Sequence, residues 1–212
     1  MSVKVANMKP AKETADGKPI PKRRDGYYVR EDGFVAVSVT TFLKVIDNSG
    51  PLIRGATSAV FDAICEDPGL LGNREEALRA PYQRRDAAAN LGKTVHSWIE
   101  ALKAGAPIDA SALPEAQRGY GEAFLAWAKC YSPTIVSQEK TLYSENYGYA
   151  GTVDMIAEIE GVPTMIDWKT GKGLYDEFAL QLECYRRAYN EANREGDPLL
   201  LDTWLLHLKP DG

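Results

Sequence analysis

Cysteine is scarce and scattered, with three in 212 residues at Cys65, Cys130 and Cys184. No Cys-x-x-Cys pair occurs, which excludes a zinc ribbon, and an odd, widely spaced set offers no disulfide framework. Each is expected to pack as a small apolar residue. Long apolar runs are also missing. None approaches the roughly 20 residues that a membrane-spanning helix needs, and nothing at the start has the pattern of a signal peptide. The cytoplasm is therefore the expected location, with no membrane partner. Nor is there an excess of positive charge: 25 Lys and Arg stand against 30 Asp and Glu, a net charge of -5. That balance argues against a protein that coats duplex DNA by bulk attraction. It does not exclude an enzyme acting on DNA, because a site rich in carboxylates lowers the net charge yet attracts phosphate once a divalent cation is bound.

What is present is an ordinary globular composition, 44% hydrophobic and 26% charged. The length suits one compact domain with a core. Residues 1–26 carry five Lys, two Arg and three Pro among polar residues, with little to bury, and are expected to form a flexible basic arm. Residues 27–212 then form a single domain.

Short β-like runs between Tyr27 and Val39 are broken by a turn at Glu31-Asp32-Gly33. Ser38 to Thr41 supply hydroxyl caps for a short helix through Phe42 and Ile46, halted near Asn48, Gly50 and Pro51. Helices are predicted over Thr57–Glu66, over Arg74 to about Ala104 with an interruption near Pro81, and over Pro114–Tyr131. Three strands follow, Thr134–Tyr143, Tyr149–Ile159 and Pro163–Lys169, with a turn at Glu145-Asn146-Tyr147-Gly148. A helix from Asp176 to about Arg194 and a strand from Thr203 to Lys209 complete the order. One α/β domain with an N-terminal helical cap is the economical reading.

The informative segment runs from Gly151 to Tyr185. Asp167 and Lys169 stand two apart on a predicted strand, so their side chains leave the same face. Asp154 lies on the partner strand among apolar neighbours, where a carboxylate needs a partner. Two acids on adjacent strands can converge on one hard cation, which prefers oxygen ligands. Such a cation polarises a phosphoryl oxygen and lowers the pKa of bound water. A nearby lysine would orient that water, neutralise charge growing in the transition state, or act as a base. The spacing does not choose among these roles.

Gly151-Thr152-Val153-Asp154, then Ile166-Asp167-Trp168-Lys169-Thr170-Gly171, then Gln181-Leu182-Glu183-Cys184-Tyr185 resembles the PD-(D/E)XK nuclease superfamily. The likeness is to the branch of RecB-type nuclease domains, certain CRISPR-associated nucleases and the mitochondrial genome-maintenance exonuclease. That branch carries a G-x-x-D strand, a D-x-K strand and a Q-x-x-x-Y helix in this order, with a histidine on an earlier helix that His96 matches. Ser38-Val39-Thr40-Thr41-Phe42-Leu43 is similar to the N-terminal segment of phage members. The resemblance implies a restriction-endonuclease-like fold, a mixed central sheet flanked by helices. It implies Asp154, Asp167, His96 and the Trp168 backbone carbonyl as ligands of Mg²⁺ or Mn²⁺, with Lys169 positioning or activating water. Imidazole suits Mn²⁺ better than Mg²⁺. Gln181 and Tyr185, one turn apart on a helix, would hold a DNA phosphate or support the site, with Glu139 and Glu100 behind the ligands. Three scattered cysteines cannot hold the iron–sulfur cluster of some relatives.

Each residue also has a plainer reading. Asp167 and Lys169 alone would be an exposed edge-strand pair; in register with Asp154, Gln181 and Tyr185 they are better read as a site. Tyr185 lies on the helix's apolar stripe, so core packing competes with DNA contact. Glu139 can be a solvated strand residue. His207, Trp98, Trp127 and Trp204 are assigned to structure. The leading functional expectation is a metal-dependent DNA nuclease, an exonuclease by the resemblance. The alternatives are a non-catalytic nucleic-acid-binding or assembly subunit that keeps the fold, and a hydrolase of small phosphoesters.

Overall fold

The computed structural model describes residues 22–46, 49–101, 109–193, 199–200 and 202–211. Residues 1–21 of the expected flexible arm (1–26) lie outside that range. The arm's last part does not behave as a tail: strand β1 (Lys22–Arg24) pairs antiparallel with β2 (Tyr27–Val29) across a turn at Asp25-Gly26. Strand β3 (Val35–Ser38) continues this meander and runs directly into α1 (Val39–Phe42). Ser38 is the helix cap, its hydroxyl accepting from Thr41 N at 3.2 Å.

The helical layer is α2 (Ser49–Glu66), α3 (Arg74–Ala77), α4 (Ala80–Ala101) and α5 (Glu115–Tyr131). Helix α2 starts eight residues earlier than its apolar pattern suggests. Gly50 and Pro51, expected to stop a helix, sit in its first turn, where proline loses no intrahelical hydrogen bond. Pro81 likewise opens α4 after the break from α3. Four further strands and a helix complete the order: β4 (Thr134–Ser144), β5 (Tyr149–Ile159), β6 (Val162–Lys169), α6 (Asp176–Ala192) and β7 (Asp202–His207).

The strands form one mixed open sheet flanked by helices. Strand β5 is its spine. One edge of β5 pairs with β4 along nearly its whole length. On the other edge β3 pairs in parallel at Tyr149 and Ala150, and β6 pairs antiparallel from Met155 to Ile159. Two strands thus share one edge and diverge, leaving a fork beside Gly151 to Asp154. Beyond β6, β7 pairs in parallel, setting Asp167 beside Leu205 and Lys169 beside His207.

Each face of the sheet buries its own core. Val39, Tyr149, Val153 and Met165 pack with Leu182, Tyr185 and Ala188 of α6. On the opposite face Met155, Ala157, Ile166 and Trp168 pack with Val95 and Ile99 of α4 and Phe124 of α5. Along β5 the alternation therefore changes phase at Asp154. Tyr149 and Val153 turn toward α6, but Met155 and Ala157 turn toward α4. Across the sheet from Asp154, Glu139 adopts a left-handed φ of 47° in the middle of β4, and the ladder steps from Gln138–Met155 to Lys140–Val153 around it. The cysteines depart from expectation: Cys184 packs against the core, but Cys65 and Cys130 are exposed, and all three are free. Among the described residues, no helix is long and apolar enough to cross a membrane.

Candidate metal and phosphate site

The fork opens onto a cavity of about 150 Å³ whose wall includes Asp154, Asp167, Lys169, Gln181 and Tyr185. Five of the residues singled out by spacing are thereby brought together from two strands and a helix. Gly151, Thr152, Tyr28, Ser38, Val39 and Thr40 complete the wall.

Asp154 is buried and held from two sides. Its Oδ2 accepts from the backbone N–H of Trp168 at 3.0 Å. Its Oδ1 lies 3.4 Å from His96 Nδ1, which approaches from α4. The imidazole sits against the Trp168 ring, with centroids 5.5 Å apart. Burial works against charging His96, but the hydrogen bond and charge of Asp154, with the charge of Asp167, outweigh it and raise its pKa above 6.5. Gly92, one turn before His96, brings α4 close to the end of β6: a Cβ there would stand 3.1 Å from Thr170 Oγ1.

Glu139 comes closer than its expected place behind the ligands. Donor atoms of His96, Glu139 and Asp154 all lie within 4.8 Å of one another. Ligands held about 2.1 Å from one ion stand about 3 to 4 Å apart, so small side-chain adjustments would close this group around a cation. The left-handed backbone at Glu139 is what turns its carboxylate in among them. Burial, then the charges of Asp154 and Glu100, push the Glu139 carboxyl up to about 7. Glu100 itself is exposed on α4 and reaches the site only through that field.

Asp167 belongs to the other half of the site. It shares a face of β6 with Met165 and lies 2.5 Å from Lys169 Nζ. That contact ties Asp167 Oδ2 to the Lys169 ammonium, as an ion pair and a hydrogen bond. Burial, and next the charge of Asp154, push the Asp167 carboxyl up to about 6 against the pull of Lys169. Lys169 also donates to Gln181 Oε1 at 3.3 Å, and Gln181 Nε2 donates to the Tyr185 hydroxyl at 2.6 Å. The core reading of Tyr185 holds, since it is 3% exposed and its hydroxyl anchors Gln181. Trp168 enters the site through its backbone N–H; its ring is buried against His96 and Phe124.

Asp154 thus joins two further carboxylates, Glu139 with His96 on one side and Asp167 with Lys169 on the other. Two of those carboxyls are displaced upward, first by burial and then by the negative field of their neighbours. A divalent cation would relieve that field, and His96, Glu139 and Asp154 could together hold one.

Spacing did not single out Tyr28, Thr40 and Thr152 on the cavity wall, or Phe178, whose ring lies 4.9 Å from Lys169 Nζ. Thr152 stands inside the Gly151–Asp154 motif, and Phe178 opens the apolar stripe of the helix from Asp176, which reads as core; these are the only signals. The structural assignments hold: Trp98, Trp127 and Trp204 pack against the α4–α5 core. His207 Nε2 lies 2.7 Å from Gly171 O and ties down the loop after β6. No protein-family model and no curated protein matches this chain.

Proposed function

We propose that this chain is a divalent-metal-dependent DNA nuclease of the PD-(D/E)XK type, acting as an exonuclease. The observation that carries the reading is the joint presence of Asp154, Asp167 and Lys169 in one cavity, with Lys169 oriented through Gln181 by Tyr185. A solvated edge-strand pair would not be enclosed in this way.

His96, Asp154 and Glu139 would hold the ion, with Asp167 and the Trp168 carbonyl completing its shell from β6. Bound there, Mg²⁺ or Mn²⁺ supplies Lewis-acid polarisation of a phosphoryl oxygen and acidifies water. The remaining work belongs to the protein. Trp168 N–H fixes the carboxylate of Asp154, and Gln181 and Asp167 hold the Lys169 ammonium at the cavity wall. A fixed ammonium stabilises negative charge growing on the phosphoryl oxygens without reorganising at the moment of reaction. The cavity, about 150 Å³, has room for a single phosphate group.

The test uses end-labelled DNA with Mg²⁺, Mn²⁺ or chelator. Lys169→Ala should fold and bind Mn²⁺ as the wild type does, yet cleave at least about a hundredfold more slowly, the loss typical of removing one charge-stabilising donor. A variant that cuts at the wild-type rate sinks the assignment.

A further inference from the structure

The seat of Lys169 has a third side. Besides Asp167 and Gln181, its ammonium lies over the ring of Phe178, 4.9 Å from the centroid. Phe178 is half-buried, and Tyr175 meets it edge to face, with centroids 5.5 Å apart at 75°. Tyr175 is 51% exposed. It lies against Gly173, where an added Cβ would come within 3.9 Å of its ring and hydroxyl. The loop that presents it is tied down by the His207–Gly171 contact. Tyr175 also occupies the cap position of α6, a helix of 17 residues, and makes no side-chain capping bond there. Ser, Thr, Asp or Asn would serve the helix better. This position therefore gives up helix stability to hold an exposed aromatic ring one ring away from the amine.

We propose that Tyr175 is a stacking platform for the base of an unpaired nucleotide next to the phosphodiester bond held at Lys169. The inference rests on the phosphodiesterase reading of the cavity and adds its substrate class, an unpaired strand end. A base inside a duplex has both faces covered by its neighbours, so only an unstacked base offers a face to the ring. Stacking tolerates any base, which suits a nuclease without sequence preference. Lys172, exposed on the same loop, adds positive charge along the path of the strand.

Tyr175→Ala, Tyr175→Trp and the wild type should be compared on a 5′-labelled dT12 oligonucleotide and on a 5′-labelled abasic phosphodiester chain of the same length, which has no base or other aromatic ring, both with Mn²⁺. Equilibrium binding of fluorescein-labelled dT12 is measured alongside. The Ala variant should lose about 5- to 150-fold in kcat/KM on dT12 relative to the base-free ester, mainly through KM, with a matching loss of binding. The Trp variant should restore both. An equal loss on the two substrates overturns the proposal, because Tyr175 would then act only by supporting Phe178 and Lys169. Unchanged binding and cleavage of dT12 overturn it as well. If even the wild type cleaves neither substrate, weakened dT12 binding by the Ala variant upholds the platform while the nuclease reading fails, and unchanged binding overturns the platform too.

Discussion

Trp168 donates its backbone N–H to Asp154 Oδ2 across 3.0 Å, and this contact ends the pairing of β5 with β6. The antiparallel register runs to Met155–Ile166; continued, it would set Asp154 opposite Asp167 and then Val153 opposite Trp168. The carboxylate takes the N–H instead, and the fork opens at that point. Asp154→Ala should leave a buried N–H unsatisfied, at a cost of about 1–3 kcal/mol. Thermal unfolding should fall by roughly 2–4 °C per kcal/mol for a domain of this size. Asp154→Asn keeps an acceptor and sheds charge, so it should melt above the Ala variant. Calorimetry should show that both lose Mn²⁺ binding. An Asn variant that binds Mn²⁺ as the wild type does would remove Asp154 from the metal site.

Glu139 holds its carboxylate in place at the expense of its backbone. A left-handed φ of 47° in a β-strand is costly for any residue with a Cβ and nearly free for glycine. Glu139→Gly should therefore unfold at a higher temperature than Glu139→Ala, which keeps the strain, while both bind Mn²⁺ more weakly. A glycine variant less stable than the alanine variant would show that the conformation is not strained.

Much of this arrangement was legible in the chain itself. Alternation and turns gave β4 to β7, and the i, i+2 and i, i+4 rules placed Asp167 with Lys169 and Gln181 with Tyr185. What stayed hidden has physical causes. Helix α2 packs through small residues, Ala59 and Ala63, and leaves Leu52, Ile53 and Phe61 exposed. Its apolar pattern therefore does not mark its buried face. The left-handed turn at Glu139 has no glycine or asparagine to announce it, so this carboxylate read as a strand residue. Strand β1 lies in a segment whose composition suggests only solvation, because its partner β2 supplies the pairing. The phase change at Asp154 arises from two strands competing for one edge, which is not a property of local sequence.

The three displaced groups of the site give the metal-free protein an unusual pH dependence. Glu139 and Asp167 titrate in the fold near 7 and 6, above ordinary carboxyls, and His96 is raised above 6.5. In each case the folded state binds more protons than the unfolded state. Their contribution to stability is therefore fullest below about pH 4 and is lost as pH rises through about 7. In chelator, the melting temperature should rise as pH is lowered from 8 toward 5.5, where the other carboxylates are still ionised. Mn²⁺ at a hundred times its Kd should add about 2.7 kcal/mol at pH 8 and less at pH 5.5, where protons compete for Glu139. Melting curves at both pH values check this. A metal-induced shift larger at pH 5.5 than at pH 8 would contradict the carboxylate assignment.

Gly151 and Tyr185 set the depth of the site. A Cβ at position 151 would stand 2.1 Å from Tyr185 Cε1, closer than any packed atoms can lie. Tyr185 is buried in the core and cannot swing away freely, so Gly151→Ala should cost about 1–3 kcal/mol by overpacking. The displaced hydroxyl would move Gln181, and Gln181 would move Lys169, so cleavage should fall along with stability. The two effects can be separated. In a Tyr185→Leu background the ring is gone, and Gly151→Ala should cost measurably less stability than in the wild type, a coupling of the kind that touching residues show. Cleavage should not recover in the double variant, because Gln181 has lost its anchor. Additive melting temperatures across the four proteins would mean that the glycine serves the strand alone and not the approach of Tyr185 to the cavity.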